Sequence, residues 1–263
     1  MQNFNLHTHT TRCFHAVGSD EEYVLAAIKN GIKILGFSDH CPMDQYTVYK
    51  DRMKMNELDE YIASITHLKE KYADQIQIYI GLECEYVPEY RTQYPEFLKK
   101  VDYLILGQHF NRFDQKDFTE AVSKQDLLIM KDYVLEAMKT GWFTYVAHPD
   151  YFMYLLDHYP EEGKEAVEEI AKCAAQLNIP LEINLKGKSK GKKIIDGKLD
   201  YRYPNSQTFE IIARHQAPVV YGLDCHNPKT FDDFYPYIKE LKEEFKQLPL
   251  KYITQCPIEK ASD

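Results

Sequence analysis

A parallel α/β fold of alternating strands and helices is the expectation from this sequence, and three observations predict it. Short β-branched or aliphatic runs alternate with longer amphipathic stretches from end to end, which is the pattern of β/α units wound on a parallel sheet. The chain has 263 residues, a length that α/β barrels commonly fill as a single unit. Hydrophobic residues make up 44% and charged residues 28%, so there is enough apolar surface to offset chain entropy and intrinsic disorder is excluded. With no internal repeat and no linker, residues 1–263 read as one domain.

Residues 4–7 make the first strand. Ser19, Asp20, Glu21 and Glu22 form a capping box that opens a helix to about residue 30, closed by Gly31. Residues 32–37 are a second strand and 56–72 a second helix, and the aliphatic run from 76 to 83 is a third strand. A short helix over 94–100 precedes a fourth strand at 103–107. A helix over 123–140, a fifth strand at 143–147, a helix over 161–177 and a sixth strand at 180–184 follow. Residues 186–193, rich in lysine and glycine, read as a basic loop. A helix over 205–215, a seventh strand at 218–222, a helix over 230–245 and a terminal strand at 250–254 complete the chain.

Charge and composition narrow the partners. Lys and Arg number 32 against 41 Asp and Glu, a net charge of −9 with no basic stripe, so nucleic acid is not the expected partner. No run approaches the roughly 18 apolar residues of a membrane helix, and the first residues lack a basic segment followed by an apolar core, so neither a membrane nor a signal peptide is expected. Six cysteines occur singly with no C-x-x-C pair, as free thiols do in a reducing cytoplasm. The sequence leaves the oligomeric state open.

The informative feature is where the histidines fall. His7 and His9 end the first strand, and His15 follows in the same loop. Asp39 and His40 end the second strand, Glu83 the third, His109 the fourth, His148 the fifth, and Asp224 and His226 the seventh. In a parallel barrel all strand carboxyl ends open on one face, so these side chains converge although spread over most of the sequence. His-x-His alone means little, since alternation puts both side chains on one face of any strand. Metal-competent residues at six strand ends are a different matter. Imidazole and carboxylate without thiolate favour zinc, manganese or iron, and nine plausible ligands suit three divalent ions better than one or two.

These residues resemble a known family. The motifs containing His7 and His9, His15, Asp39 and His40, Gly81 and Glu83, Gly107 and His109, His148 and Pro149, and Gly222, Asp224 and His226 look like those of the polymerase and histidinol phosphatase (PHP) superfamily. The resemblance implies a distorted (β/α)7 barrel with a trinuclear metal site at the C-terminal ends of the strands. One ion would be held by His7, His9, Glu83 and Asp224, a second by Glu83, His109 and His148, and a third by His15, His40 and His226. Within the superfamily the chain is most similar to stand-alone L-histidinol-phosphate phosphatases, on the segments around Glu83 and Glu85, around His109, and from Leu181 to the basic loop and Tyr203.

The resemblance implies hydrolysis of L-histidinol phosphate, a small phosphomonoester of histidine biosynthesis, by a hydroxide bridging two of the ions beside Glu83. Asp39, which precedes a ligand, is a candidate either to orient an imidazole or to cap the turn, and the group that protonates the leaving alkoxide stays open, with Asp150 one candidate by position. Arg12, Arg202 and Lys186 in the basic loop are candidate phosphate contacts, by their positions near ligands or in a cationic stretch. The substrate carries an ammonium and an imidazole, so acidic and aromatic groups after strand ends, Glu85, Asp114, Asp150, Tyr86, Phe110 and Tyr151, are candidates to face its organic end. Cys13, Cys41, Cys84 and Cys225 adjoin ligands and read as buried packing thiols. Two alternatives remain: a phosphoesterase of other specificity, including a phosphodiesterase, and a metal-binding module without turnover.

Overall fold

A computed structural model of the protein describes residues 1–258. In chain order its elements are β1 (Phe4–Asn5), α1 (Asp20–Lys29), β2 (Ile34–His40), α2 (Leu58–Lys71), β3 (Gln77–Cys84), α3 (Tyr94–Leu98), β4 (Tyr103–Leu106), α4 (Lys124–Thr140), α5 (Glu161–Leu177), β5 (Leu181–Asn184), α6 (Leu185–Ser189), β6 (Lys192–Ile195), β7 (Lys198–Tyr201), α7 (Ser206–His215), β8 (Pro218–Gly222), α8 (Phe234–Glu244) and β9 (Lys251–Tyr252). The expected capping box at Ser19 is formed, with Glu22 N donating to the Ser19 hydroxyl and Ser19 N to the Glu22 carboxylate. Among the described residues no helix is long and apolar enough to cross a membrane.

Seven parallel strands form a ring, and β9 adds a short parallel pairing to the start of β8. β1 to β4 pair in sequence order, and β5 pairs with β8. The expected fifth strand pairs from Thr144 to Ala147: Thr144 N donates to Leu104 O, Leu106 N to Tyr145 O and Ala147 N to Leu106 O on the β4 side, Val146 N to Pro180 O and Glu182 N to Val146 O on the β5 side, and Val146 bridges Leu106 and Leu181. The ladder ends there because His148 turns into the left-handed region at φ 25° and Pro149 follows without an N–H. The ring closes between β8 and β1 through side chains as well as backbone. Gln2 both donates to and accepts from the Tyr221 backbone (2.7 and 3.0 Å), Leu223 N donates to Asn5 Oδ1 (2.8 Å), and His9 N donates to Cys225 O (2.9 Å).

The expected basic loop is a correction. Asn184 Oδ1 accepts from Gly187 N and caps the short helix α6, and an antiparallel hairpin, β6–β7, follows. Its turn at Asp196 and Gly197 has positive φ at both residues, 48° and 75°, the geometry that a two-residue hairpin favours. The lysine charges did not keep this stretch irregular because Lys188 pairs with Glu240 and Lys192 with Glu244 on α8. The last long helix also starts later than expected: Asn227 caps a 3₁₀ turn, Pro228–Asp233, ahead of α8.

Inside the ring the side chains lie in layers. Phe4, Leu6, Tyr103, Ile105, Tyr145, Ala147 and Val220 form an apolar plug, distinct from the larger core between strands and helices. The Tyr103 ring occupies room left by two glycines; a Cβ at Gly36 would lie 2.3 Å, and one at Gly81 2.4 Å, from its atoms. Its hydroxyl is shared between the carbonyls of Leu6 (2.7 Å) and Phe37 (3.0 Å), joining three strands below the mouth. Tyr103→Phe removes that buried donor and is expected to lower stability by about 1–3 kcal/mol, read as a shifted urea midpoint at unchanged m-value; an unshifted midpoint would show the bond to be dispensable.

Candidate metal centre

One layer above the plug the inward side chains become polar. Glu83 and Glu182 lie over glycine: a Cβ at Gly107 would meet Glu83 Oε1 at 2.1 Å, and one at Gly222 would meet Glu182 Oε1 at 1.6 Å. Glu83 is the hub. Its Oε1 lies 3.3 Å from His7 Nε2, 2.8 Å from His148 Nε2 and 3.6 Å from His109 Nε2, and its Oε2 lies 3.3 Å from His9 Nε2 and 3.2 Å from His40 Nδ1. Asp224 Oδ1 stands 3.4 Å from His9 Nε2 and 3.2 Å from His226 Nδ1, and His226 Nε2 stands 2.8 Å from His15 Nε2. All nine residues expected as ligands therefore meet in one cluster.

The cluster fits divalent ions on its own geometry. His7 Nε2, His9 Nε2 and His40 Nδ1 are buried without a hydrogen-bond partner, although each faces a carboxylate oxygen at 3.2–3.3 Å. Two ligands on one tetrahedral ion with bonds of about 2.0–2.1 Å are separated by about 3.3 Å. The groups His7–His9–Asp224, His7–Glu83–His148, His9–His40–Glu83 and His15–His40–His226 each bring their ligand atoms within 4.8 Å of one another.

Three carboxylates hold the imidazoles in place. Glu182 Oε1 accepts from His7 Nδ1 (2.8 Å), and its Oε2 accepts from His148 N (3.0 Å) and Asn184 Nδ2 (2.9 Å). Asp39 faces His9 Nδ1 at 3.6 Å and accepts from Thr10 N and His40 N, both at 3.0 Å, and from the Thr10 hydroxyl. Glu85 bonds to His109 Nδ1 (2.7 Å) and is itself held by Arg52 (2.8 Å). Sequence reasoning missed Glu182 and Arg52. The available signal for Glu182 was an acid set between Leu181 and Ile183 in a strand otherwise reading as core, opposite Gly222. Glu182→Gln should weaken metal binding and kcat about 10–100-fold, and metal titration of the folded variant tests this; wild-type affinity would remove Glu182 from the ligand scaffold.

The electrostatics agree with a site built for cations. Burial penalises charge on His9, but Asp224, Asp39 and Glu83 outweigh it and raise its pKa to about 10. His109, equally buried, is raised to about 9 by Glu83 and Glu85, and His7 is raised by Glu182, Glu83 and Asp224. Burial and the neighbouring cations lower His15, His40 and His226. Burial opposes charge on Glu83, Asp224 and Glu85 too, yet the surrounding cations hold all three below the usual carboxylate range, Glu85 at about 2. Before ions bind, protons therefore supply part of the balancing charge.

The remaining expectations divide. Lys186 reaches the cluster, with Nζ 3.2 Å from Asp224 Oδ1 and 3.2 Å from His226 Nδ1. Tyr151 packs against the rings of His109 and His148 at 4.8 and 4.9 Å. Arg12 does not face the mouth: its guanidinium is committed to Asp20 (2.9 Å) and Glu60 (2.8 Å). Arg202 donates to Leu156 O (3.2 Å) and lines a separate cavity with Lys190 and Lys193. Glu85 and Phe110 are wholly buried, the first spent on His109 and Arg52, the second stacked on Tyr46 at 3.8 Å, so neither faces a substrate. Asp150 is also buried, accepting from Asn205 N (2.7 Å) at the start of α7, and burial pushes its carboxyl up to about 7. Tyr86 donates to Glu136, and Asp114 is exposed beside Arg112. The four ligand-adjacent cysteines are buried, as expected of packing thiols.

A seven-stranded parallel ring carrying such a cluster at its strand ends defines a metal-dependent barrel protein, and the PHP domain family matches residues 5–186. The chain belongs to the PHP family. A Deinococcus radiodurans protein named "probable histidinol-phosphatase" is 29% identical over 251 residues, 90% of this chain and 92% of that protein. The histidinol-phosphatase of Bacillus subtilis is 31% identical over 141 residues, 48% of this chain and 52% of that protein. Among solved structures, a histidinol phosphate phosphatase from Lactococcus lactis, determined with zinc, L-histidinol and phosphate, superposes with a TM-score of 0.72 at 18% identity, covering 98% of both chains. That likeness carries the distorted barrel fold.

Proposed function

We propose that this protein is a metal-dependent phosphomonoesterase that hydrolyses L-histidinol phosphate to L-histidinol and phosphate. The observation that carries the reading is the cluster centred on Glu83, with five imidazoles facing one buried carboxylate. Its nine ligands suit three divalent ions, zinc, manganese or iron. The names of the relatives support the substrate, and the free cysteines fit a cytoplasmic reaction.

When bound, the ions supply positive charge that neutralises phosphoryl oxygens and activates water at neutral pH. The protein's own residues do the rest. Glu83, seated over Gly107, holds His7, His9, His40, His109 and His148 at fixed spacing. Glu182, Asp39 and Glu85 fix the ring orientations. Lys186 adds a mobile-stemmed cation at the Asp224 side, placed to contact a phosphate oxygen. The acidic remainder of the surface disfavours long polyanions.

Steady-state phosphate release from L-histidinol phosphate, with manganese or zinc supplied, tests the proposal against a panel of other monoesters and one diester. A kcat/KM of about 10⁴ M⁻¹s⁻¹ or more, far above the panel, is expected. Uniformly slow turnover would retire the substrate, and preference for the diester would reassign the class.

A further inference from the structure

One side of the metal centre opens into a cavity of about 360 Å³, the size of small-ligand sites. It is lined by His15, Asp224, His226 and Lys186 from the cluster, and by Asp233 and Tyr237 from the 3₁₀ turn and α8. Asp233 stands where the 3₁₀ turn runs on into α8, in helical backbone (φ −93°, ψ −8°), and its side chain makes no bond to the helix. Its neighbour Asp232, by contrast, is spent on Lys29 and Asn30. Tyr237 stands one helical turn further along, its ring 3.7 Å from Lys188 Nζ, whose charge is already taken by Glu240 at 2.5 Å. The cavity would therefore be bipolar with ions bound: Lys186 and the divalent charge that the cluster would hold make one part cationic, and Asp233 brings a half-buried carboxylate with no side-chain partner among the described residues.

We propose that Asp233, assisted by Tyr237, determines specificity by receiving the protonated amine of a zwitterionic phosphomonoester whose phosphate lies on Lys186 and the metal cluster. The inference rests on the phosphomonoesterase reading above and adds the group that selects the organic end. A monoester with a neutral organic end leaves Asp233 without its partner, and one with a second anion meets like charge, so the same carboxylate attracts one class and disfavours another. It also replaces the acidic and aromatic candidates expected by sequence position, of which Glu85, Phe110 and Asp150 are wholly buried.

The test compares Asp233→Asn with wild type, metal-loaded, on L-histidinol phosphate, phosphoethanolamine and p-nitrophenyl phosphate. The ratio of kcat/KM for the two amine-bearing esters over the nitrophenyl ester should fall about 10-fold, the size of a lost charge-assisted contact, and the loss should lie mainly in KM. Calorimetric affinity for L-histidinol should drop by a similar factor, with metal content retained. Tyr237→Phe should move the ratio the same way by a smaller factor, and it serves alone if the first variant fails to fold. An unchanged ratio, or an equal fall on all three esters, overturns the inference. Wild-type enzyme that ignores L-histidinol phosphate but discriminates phosphoethanolamine through Asp233 would instead sink the substrate reading and leave the inference standing.

Discussion

Glu83→Gln is expected to lower kcat by on the order of 10³-fold or more and to leave the purified protein short of metal. The side chain keeps its shape and its seat over Gly107, so the barrel should still fold. What is lost is the negative charge that five imidazole nitrogens face at 2.8–3.6 Å. A neutral amide turns an N–H₂ toward some of them, which places donor against metal-facing nitrogen. The checks are kcat on L-histidinol phosphate and metal content by mass spectrometry. Near-wild-type turnover with full metal would mean that the ions are not organised around this carboxylate.

Chelation should abolish activity, with manganese or zinc restoring it, and metal affinity should rise steeply from pH 6 to pH 9. The sign follows from the raised histidines. His9, at about 10, His109, at about 9, and His7 are protonated near neutrality in the metal-free protein, and a coordinating imidazole must give up its proton. Metal binding at pH 7.5 should therefore release protons, seen as a calorimetric heat that changes with buffer ionisation enthalpy. Stability of the metal-free chain runs the other way. A histidine raised above its unfolded value near 6.5 stabilises the fold fully below that pH and loses the contribution as pH climbs through about 9 to 10. The gain in Tm on adding metal should accordingly widen between pH 6 and pH 9. A gain independent of pH would show that these imidazoles are already neutral.

Much of the metal cluster was legible because each ligand is a local event. A strand ends, its alternation sets which side chains point inward, and a histidine or carboxylate falls at that position; His7, His9, His40, Glu83 and His109 each follow this logic. The glycines two residues ahead of Glu83, His109 and Asp224 belong to the same pattern, since each inward position one layer down must leave room for a large side chain above or beside it. The helices were readable from caps and periodicity. The fifth strand was readable as well: its backbone pairs from Thr144 to Ala147, within a residue of the expected range, and the turn at His148 ends it.

The partners of the ligands and the groups of the mouth were not legible in the same way. Arg12 sits between two ligands in sequence yet turns to Asp20 and Glu60, and Asp150 follows a ligand closely yet points into the start of α7. Arg52 and Asp233 lie outside the quoted motifs, and Glu182, although within one, acquires its role from His7 and His148 packing against it. By itself, the sequence determined the parallel barrel, the strand-end imidazoles and carboxylates and the acidic surface, because period, caps and strand alternation act over a few residues. Only the tertiary structure decided which carboxylates aim the imidazoles, which cation reaches the cluster and which acid lines the cavity, because each depends on side chains meeting across elements far apart in the chain.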